Sequence, residues 1–318
     1  MALRSLDLKL GFACNNNCLS CPQAHRRHFG DLATEKIKEF LDEGRKKGDI
    51  QVVLTGGEPT IRPDIVEIVG YAREIGYSDI QLQTNGRMLA YKDFCKKLVD
   101  AGASSFMFGI HGSSAEVHDY LTQSPGAFSQ ALQGVKNLVA LRESLRISMI
   151  SVNSVVSKAS YRQAPETARL FAGLGIDQLQ FAFIHCVGNA LKNIELLLPT
   201  KTEVMPFIHE GLEIGLKAGM AMRVEAYPFC FLKGYEQCSS EIHAPYKEIM
   251  DAEGLRENFN QIRRGAKRKG PQCKECKFDL VCSGPWKEYV EIYGFGEFKP
   301  VPGKKIQDVL EISGQNKG

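Results

Sequence analysis

ACNNNCLSCPQAHR, residues 13–26, places Cys14, Cys18 and Cys21 within eight positions, and the next thiol is as distant as Cys95. A closed structural zinc site and an ordinary iron–sulfur site each take four protein ligands. Three thiolates around a four-iron cubane leave one iron with an open position, which is what a catalytic metal needs. Asn15, Asn16 and Asn17 tolerate tight, unusual backbone angles, so the loop suits closure around a cluster.

On either side of this loop the chain alternates between two periodicities. Residues 5–12, 50–54, 80–84, 105–110, 146–156, 178–184 and a short stretch at 220–226 read as strands. Residues 33–47, 64–75, 91–102, 127–141, 164–174 and 203–217 carry apolar side chains at helical spacing. Strand and helix alternate about six times, which predicts α/β architecture with a parallel sheet inside and helices outside. A closed barrel needs eight such units. Six predict an open, partial (β/α)6 barrel over residues 1–226. Several strands carry polar residues at every second position: Gln81, Gln83 and Asn85; Ser151 and Asn153; Gln178 and Gln180. A sheet covered by helices on both faces would be more uniformly apolar, so one face is expected to line a polar lumen.

Bulk properties exclude little. The 318 residues are 43% hydrophobic and carry a net charge of +3, a balance that by itself argues for neither nucleic acid nor a membrane. No run of 18 apolar residues exists, and MALRSLDLKLGFAC is too short and too polar in its middle for a signal peptide. The expectation is a cytoplasmic protein without a membrane partner. Its ten cysteines then suggest metal rather than disulfides.

C-x3-C-x2-C after the first strand of a partial barrel resembles the radical S-adenosylmethionine (SAM) superfamily, and the resemblance runs over residues 5–190. TGGEP (55–59) is similar to the family's GGE segment, which binds the methionine end of SAM. QTNG (83–86) ends the third strand as in many members. SVNSVV (151–156) carries the asparagine often seen on the fifth strand, and HCVGNA (185–190) lies where many members turn near the adenine. The resemblance implies a [4Fe–4S] cluster held by Cys14, Cys18 and Cys21, with the amine and carboxylate of SAM on its open iron. One-electron cleavage of the sulfonium would then give a 5′-deoxyadenosyl radical that removes hydrogen from substrate. It also implies SAM contacts from Gly56, Gly57, Glu58, Thr84, Asn85 and Asn153. The two glycines would let backbone approach the ligand, and Glu58 would accept a charge-assisted bond from the SAM ammonium. An electron donor such as ferredoxin or flavodoxin is implied as a partner. Two departures stand out: Ser20 occupies a position that is often aromatic, and Cys186 one that is often proline. Cys186 and His111 are the catalytic candidates, although a thiol at such a position is more often buried and inert, while Cys95, on the apolar face of its helix, is expected in the core.

After Tyr227 the periodicity fades. AYPFCF (226–231) carries Cys230, Cys238 follows in a polar segment, and CKECKFDLVC supplies Cys273, Cys276 and Cys282. The C-x2-C-x5-C spacing resembles SPASM or twitch extensions of the same superfamily. Full SPASM extensions carry about seven cysteines; here there are five, and Trp286 stands where another would fall. That implies a twitch-like extension over 227–300 with one auxiliary [4Fe–4S] cluster on Cys273, Cys276, Cys282 and either Cys230 or Cys238. Cys230 follows an aromatic, strand-like segment and is the expected fourth ligand. A zinc ribbon is the rival reading. RRGAKRKGPQ (263–272) reads as a solvated linker, or alternatively as a basic patch for a polyanion. Residues 301–318 form a polar tail whose GQNKG end does not match the GG tail of the otherwise similar molybdenum-cofactor A family.

The expected function is radical SAM chemistry on a small molecule or peptide in cofactor or natural-product biosynthesis. The alternatives are a tRNA-modifying radical SAM enzyme and a non-catalytic zinc module that binds nucleic acid.

Overall fold

The structure, a computed structural model, describes residues 4–142, 145–243, 246–256 and 258–313; the GQNKG end lies outside them. Among the described residues nine strands form one sheet: β1 (Arg4–Lys9), β2 (Gln51–Thr55), β3 (Asp79–Thr84), β4 (Ser105–Gly109), β5 (Met149–Val156), β6 (Gln178–Phe183), β7 (Ala221–Glu225), β8 (Tyr246–Asp251) and β9 (Gly254–Arg256). Their order is β7-β6-β5-β4-β3-β2-β1-β8-β9, parallel throughout except for the β8–β9 hairpin.

The register explains the lumen. Leu8, Leu54, Leu82, Phe106 and Ile150 stand side by side across five strands and are fully buried. They face helices Thr34–Lys46, Ile65–Glu74, Lys92–Ala101 and Ala127–Leu141. Because strand side chains alternate, the intervening residues turn to the other face, where Gln83 pairs with Met107, Met107 with Ser151, and Ser151 with Gln178. Asn153, Gln180 and Arg223 form the next row. The polar face does line a lumen, a cavity of about 600 Å3.

Three differences from the sequence expectation have physical causes. β1 ends at Lys9 because Leu10 to Phe12 peel away toward a second partner: Leu10 bonds Thr55, but Gly11 bridges to Asp31 and Phe12 bonds Gly30. Helix Lys201–Lys217 begins earlier than expected because Thr200 and Glu203 form a reciprocal capping box. The sheet also continues past residue 226. β8 adds to the free edge of β1, although Lys247 and Glu248 hide its strand character. Glu248 is buried and satisfied by Arg4 and Lys47 on either side, while Lys247 faces the lumen near Asp7.

The basic run does not behave as a solvated linker. Phe259–Gly265 is helical, Arg263 pairs with Glu225 on β7, and Lys267 is buried against Glu241 and the Trp286 ring. Arg263 thus ties the C-terminal segment to the barrel, and Lys267 ties that segment to itself.

Candidate active site

The cysteine loop leaves β1 at the carboxyl end of the sheet and is sewn to three neighbouring segments. On one side it lies on TGGEP: Gly57 N–H donates to the Gly11 carbonyl (2.9 Å) and Glu58 N–H to the Ala13 carbonyl (2.8 Å). A Cβ on Gly56, whose φ is +126°, would sit 2.2 Å from the Gly11 oxygen, and one on Gly57 would sit 2.1 Å from the Ala13 oxygen. The backbone that approaches these glycines in this structure is the cysteine loop itself.

On the second side lies helix Ala115–Thr122, which the sequence reading missed. Its last carbonyls, on Leu121 and Thr122, accept from Leu19 and Asn17. The third contact is the GNA turn. Asn189 N–H donates to the Cys21 carbonyl (2.9 Å), and its side chain donates to Cys18 (3.1 Å). Gly188 has a φ of +60°, and a Cβ there would meet the Cys21 and Pro22 carbonyls at 2.7 Å.

Two arginines hold the asparagine run. Arg87 donates to the Asn15 carbonyl and to the Asn16 side chain (3.0 Å), and Arg27 donates to the Asn16 carbonyl (2.7 Å). Neither is conspicuous in sequence, since each lies in an ordinary polar stretch.

Glu58 is buried. One carboxylate oxygen accepts from Thr60 N–H (3.0 Å), the Thr60 hydroxyl and the Thr84 hydroxyl (2.7 Å), and the other accepts from Asn85 N–H. Burial nonetheless raises its pKa against those bonds. Thr84 accepts in turn from Gly86 N–H (2.9 Å), and the Asn85 amide reaches Asn15 (2.6 Å). Glu58, Thr84 and Asn85 thus form one network that fastens the end of β3 to the cysteine loop. Asn153 stands apart on the lumen wall, accepting from Gln180 (3.1 Å).

Cys14, Cys18 and Cys21 are close enough to influence one another electrostatically. Burial, followed by the neighbouring thiols, pushes Cys18 up to about 12, and burial raises Cys14. Metal coordination would displace those protons. Among the described residues no three His, Cys, Asp or Glu side chains converge on a single-ion site. The donor set suits a cluster: three neighbouring thiols, with Asn16 N–H directed at Cys14 Sγ (3.4 Å), the kind of contact that tunes cluster sulfur.

Below the loop the lumen begins, with Ser20 and Pro22 at its rim. Lys9, Arg223, Lys247 and Arg263 face Asp7 and Glu225 across it. Lys9 pairs with Asp7 at 2.6 Å, and Arg223 has no carboxylate partner among the described residues. His185 stacks on Trp286 at 3.9 Å, nearly parallel, with Glu288 3.6 Å from its Nε2. Burial lowers the His185 pKa, and Glu288 partly opposes that. His185 and Trp286 were not foreseen as a lumen pair, because 101 residues separate them.

The two catalytic candidates lie elsewhere. Cys186 turns away from the lumen into the core, 1% exposed, and burial holds its thiol at about 12. His111 accepts from Val155 N–H (3.2 Å), and burial with neighbouring His118 drives its pKa down to about 3. Neither lines the lumen.

The second cysteine group surrounds a small cavity lined by Cys230, Cys273, Cys276, Cys282, Pro228 and Phe278. Gly284 N–H approaches Cys282 Sγ (3.4 Å) and Val301 N–H approaches Cys276 Sγ (3.3 Å). Burial and the other three thiols raise Cys230 to about 12. Cys238 is not among these residues. Although it lies in a polar segment, it is 1% exposed, packed where Ser239 bridges to Val224 of β7.

A parallel partial barrel with a three-cysteine loop over a polar lumen defines a class of cluster-dependent radical enzymes. The Radical SAM superfamily model matches residues 8–171, and the chain belongs to that superfamily. It is accordingly an enzyme of the radical SAM type, and membership implies a [4Fe–4S] cluster and SAM. The chain is 27% identical to an "AdoMet-dependent heme synthase" of Methanosarcina barkeri, over 89% of this chain and 91% of that one. It is 32% identical to a "Probable GTP 3',8-cyclase" of Saccharolobus solfataricus over 58% of each. Among solved structures, Streptococcus suis SuiB bound to S-adenosylmethionine superposes with a TM-score of 0.64 at 14% identity, covering 95% of this chain and 77% of that one. Native anSMEcpe with bound AdoMet and Cp18Cys peptide superposes with a TM-score of 0.63 at 13% identity, covering 98% and 94%. At such identities the structural likeness speaks to the fold. Among the described residues no helix is long and apolar enough to cross a membrane.

Proposed function

We propose that this enzyme generates a 5′-deoxyadenosyl radical beneath the Cys14–Cys21 loop and uses it on an anionic, carboxylate-bearing small molecule in cofactor biosynthesis. The observation that carries the reading is the lumen's charge: four cations face two carboxylates, and Arg223 has no acidic partner among the described residues. Charged groups inside a concave, partly desolvated wall select charge-complementary ligands. The first relative's name supports the same branch, since haem is a planar tetrapyrrole with carboxylate side chains. The stacked His185 and Trp286 rings offer a flat wall for such a molecule.

Cys14, Cys18 and Cys21 would hold the SAM-binding cluster, which supplies one-electron cleavage of the sulfonium. Gly56, Gly57, Glu58, Thr84 and Asn85 support that loop, and Asn153 faces the bound ligand. We further assign Cys230, Cys273, Cys276 and Cys282 to a second [4Fe–4S] cluster in a twitch-like extension over 227–300. Ten unpaired cysteines suit a reducing compartment. The tRNA reading loses support because Arg263 and Lys267 are spent on internal partners.

The test uses anaerobically reconstituted enzyme with SAM and dithionite. A carboxylate-bearing iron tetrapyrrole should bind, shift its visible absorption, and accelerate 5′-deoxyadenosine release, and Arg223→Met should weaken that binding. Acceleration by GTP or by a peptide, with none by the tetrapyrrole, would assign a different substrate.

A further inference from the structure

We propose that the face around Cys282 is the docking surface for a small acidic one-electron carrier protein, which exchanges electrons with the second cluster. The inference rests on the second-cluster reading above. A cluster closed by four thiolates has no open iron for substrate, so its work is electron transfer, and an electron must enter or leave through the surface. Cys282 and Lys269 line both the cysteine-walled cavity and an adjoining open groove of about 510 Å3, so the groove lies against the cluster's own ligand.

Charge identifies the partner. Residues 263–305 hold eleven Lys or Arg against five Asp or Glu, a net +6 in a chain whose total is +3; the remainder is therefore −3. Arg264 on the groove and Lys299 at the cavity rim have no ion pair among the described residues. Leu280 is 58% exposed on the groove wall that Arg264 also lines, beside Val281. Arg264, Lys267 and Lys269 outnumber Asp308 on the groove, although Glu241 and Asp279 pair with the two lysines, and an apolar contact beside a cationic excess suits a transient, electrostatically steered encounter. In the step itself the reduced carrier gives up one electron, the oxidised cluster gains it, and no bond or proton changes hands.

The experiment uses the full-length reconstituted enzyme. Iron content is measured first; about four irons per chain would remove the second cluster and this proposal with it. With about eight irons, stopped-flow mixing with a reduced acidic [2Fe–2S] ferredoxin should show cluster reduction whose rate falls about tenfold or more between low and high salt. Arg264→Glu with Lys299→Glu should cost at least about tenfold at low salt. Arg264→Lys with Lys299→Arg should keep the wild-type rate, and photoreduced deazaflavin, a small neutral donor, should reduce all variants alike. A ferredoxin rate unmoved by charge reversal overturns the proposal. So does a result in which the reversal abolishes binding of a transfer RNA but leaves the ferredoxin rate intact, which would give this face to RNA.

Discussion

Gly57→Ala offers the sharpest test of how the site is built. The new Cβ would lie 2.1 Å from the Ala13 carbonyl oxygen, where ordinary contact begins at 3.4 Å, so the cysteine loop must withdraw by about 1.3 Å. That movement breaks Glu58 N–H to Ala13 (2.8 Å) and strains Gly57 N–H to Gly11 (2.9 Å). Two backbone bonds at about 1 kcal/mol each, with the added cost of leaving buried groups unpaired, give a loss of about 2–5 kcal/mol. Cys14 directly follows Ala13, so the variant should bind less iron at the first cluster as well as melt earlier. The assay is iron and sulfide content after anaerobic reconstitution, together with thermal unfolding of the apoprotein. Gly70→Ala, inside helix Ile65–Glu74 with open space at its Cβ, should melt no earlier than wild type and serves as the control. A Gly57→Ala protein that loads both clusters fully, unfolds normally and differs only in SAM affinity would refute the reasoning and return these glycines to a ligand-contact role.

Other outcomes follow from the same geometry. Replacing Cys14, Cys18 and Cys21 by Ala should leave about half of roughly eight irons per chain, measured by iron analysis; full retention would contradict the first-cluster assignment. In that triple variant, Cys230→Ala should abolish or alter the remaining cluster spectrum while Cys238→Ala leaves it nearly unchanged, and the reverse result would move the ligand. Glu58→Gln should lower the melting temperature as well as weaken SAM binding, because an amide N–H₂ must face Thr84, Thr60 or Asn85 donors, costing about 1–3 kcal/mol; a variant with unchanged melting would refute the clamp. His111 and His118, depressed to about 3 and about 4, stay neutral in the fold while the unfolded chain takes up protons below about 6.5. Their contribution is therefore complete above that pH and drains away toward pH 3–4, approaching about 2.7 kcal/mol per pH unit for two protons. Urea unfolding of the apoprotein from pH 7 to pH 5 should show that slope, and His111→Gln with His118→Asn should flatten it.

Most strands and helices up to residue 226, helix Ala115–Thr122 excepted, were legible because each has one apolar face at a clean period. Rows such as Leu8, Leu54, Leu82 and Phe106 are written directly into the alternation. The polar lumen was legible for the same reason, from Gln83, Asn153 and Gln180. β8 was not, because its polar side chains are neutralised by residues far away in the chain: Arg4 and Lys47 for Glu248, Asp7 for Lys247. A single strand read by itself cannot announce partners it does not contain. The site divides along the same line. Local motifs identified the cysteines and TGGEP, whereas the supports Arg27, Arg87 and helix Ala115–Thr122, and the His185–Trp286 stack, exist only once distant segments meet. For Cys186 the sequence left a buried inert thiol and a lumen contact both open, since alternation leaves the direction of a residue just beyond a strand end undecided.

The pairing of β8 with β1 carries a consequence for how the protein is made. Arg4 lies opposite Tyr246, so one edge of the first strand waits for a partner that is translated 242 residues later. At about 5–20 residues per second, that edge stays uncovered for roughly 10–50 s on the ribosome. An unpaired strand edge is a template for pairing with another chain. Nascent chains should therefore depend on holding factors until β8 has emerged. A version truncated after β7 should aggregate, even though it keeps every residue of the SAM-binding loop.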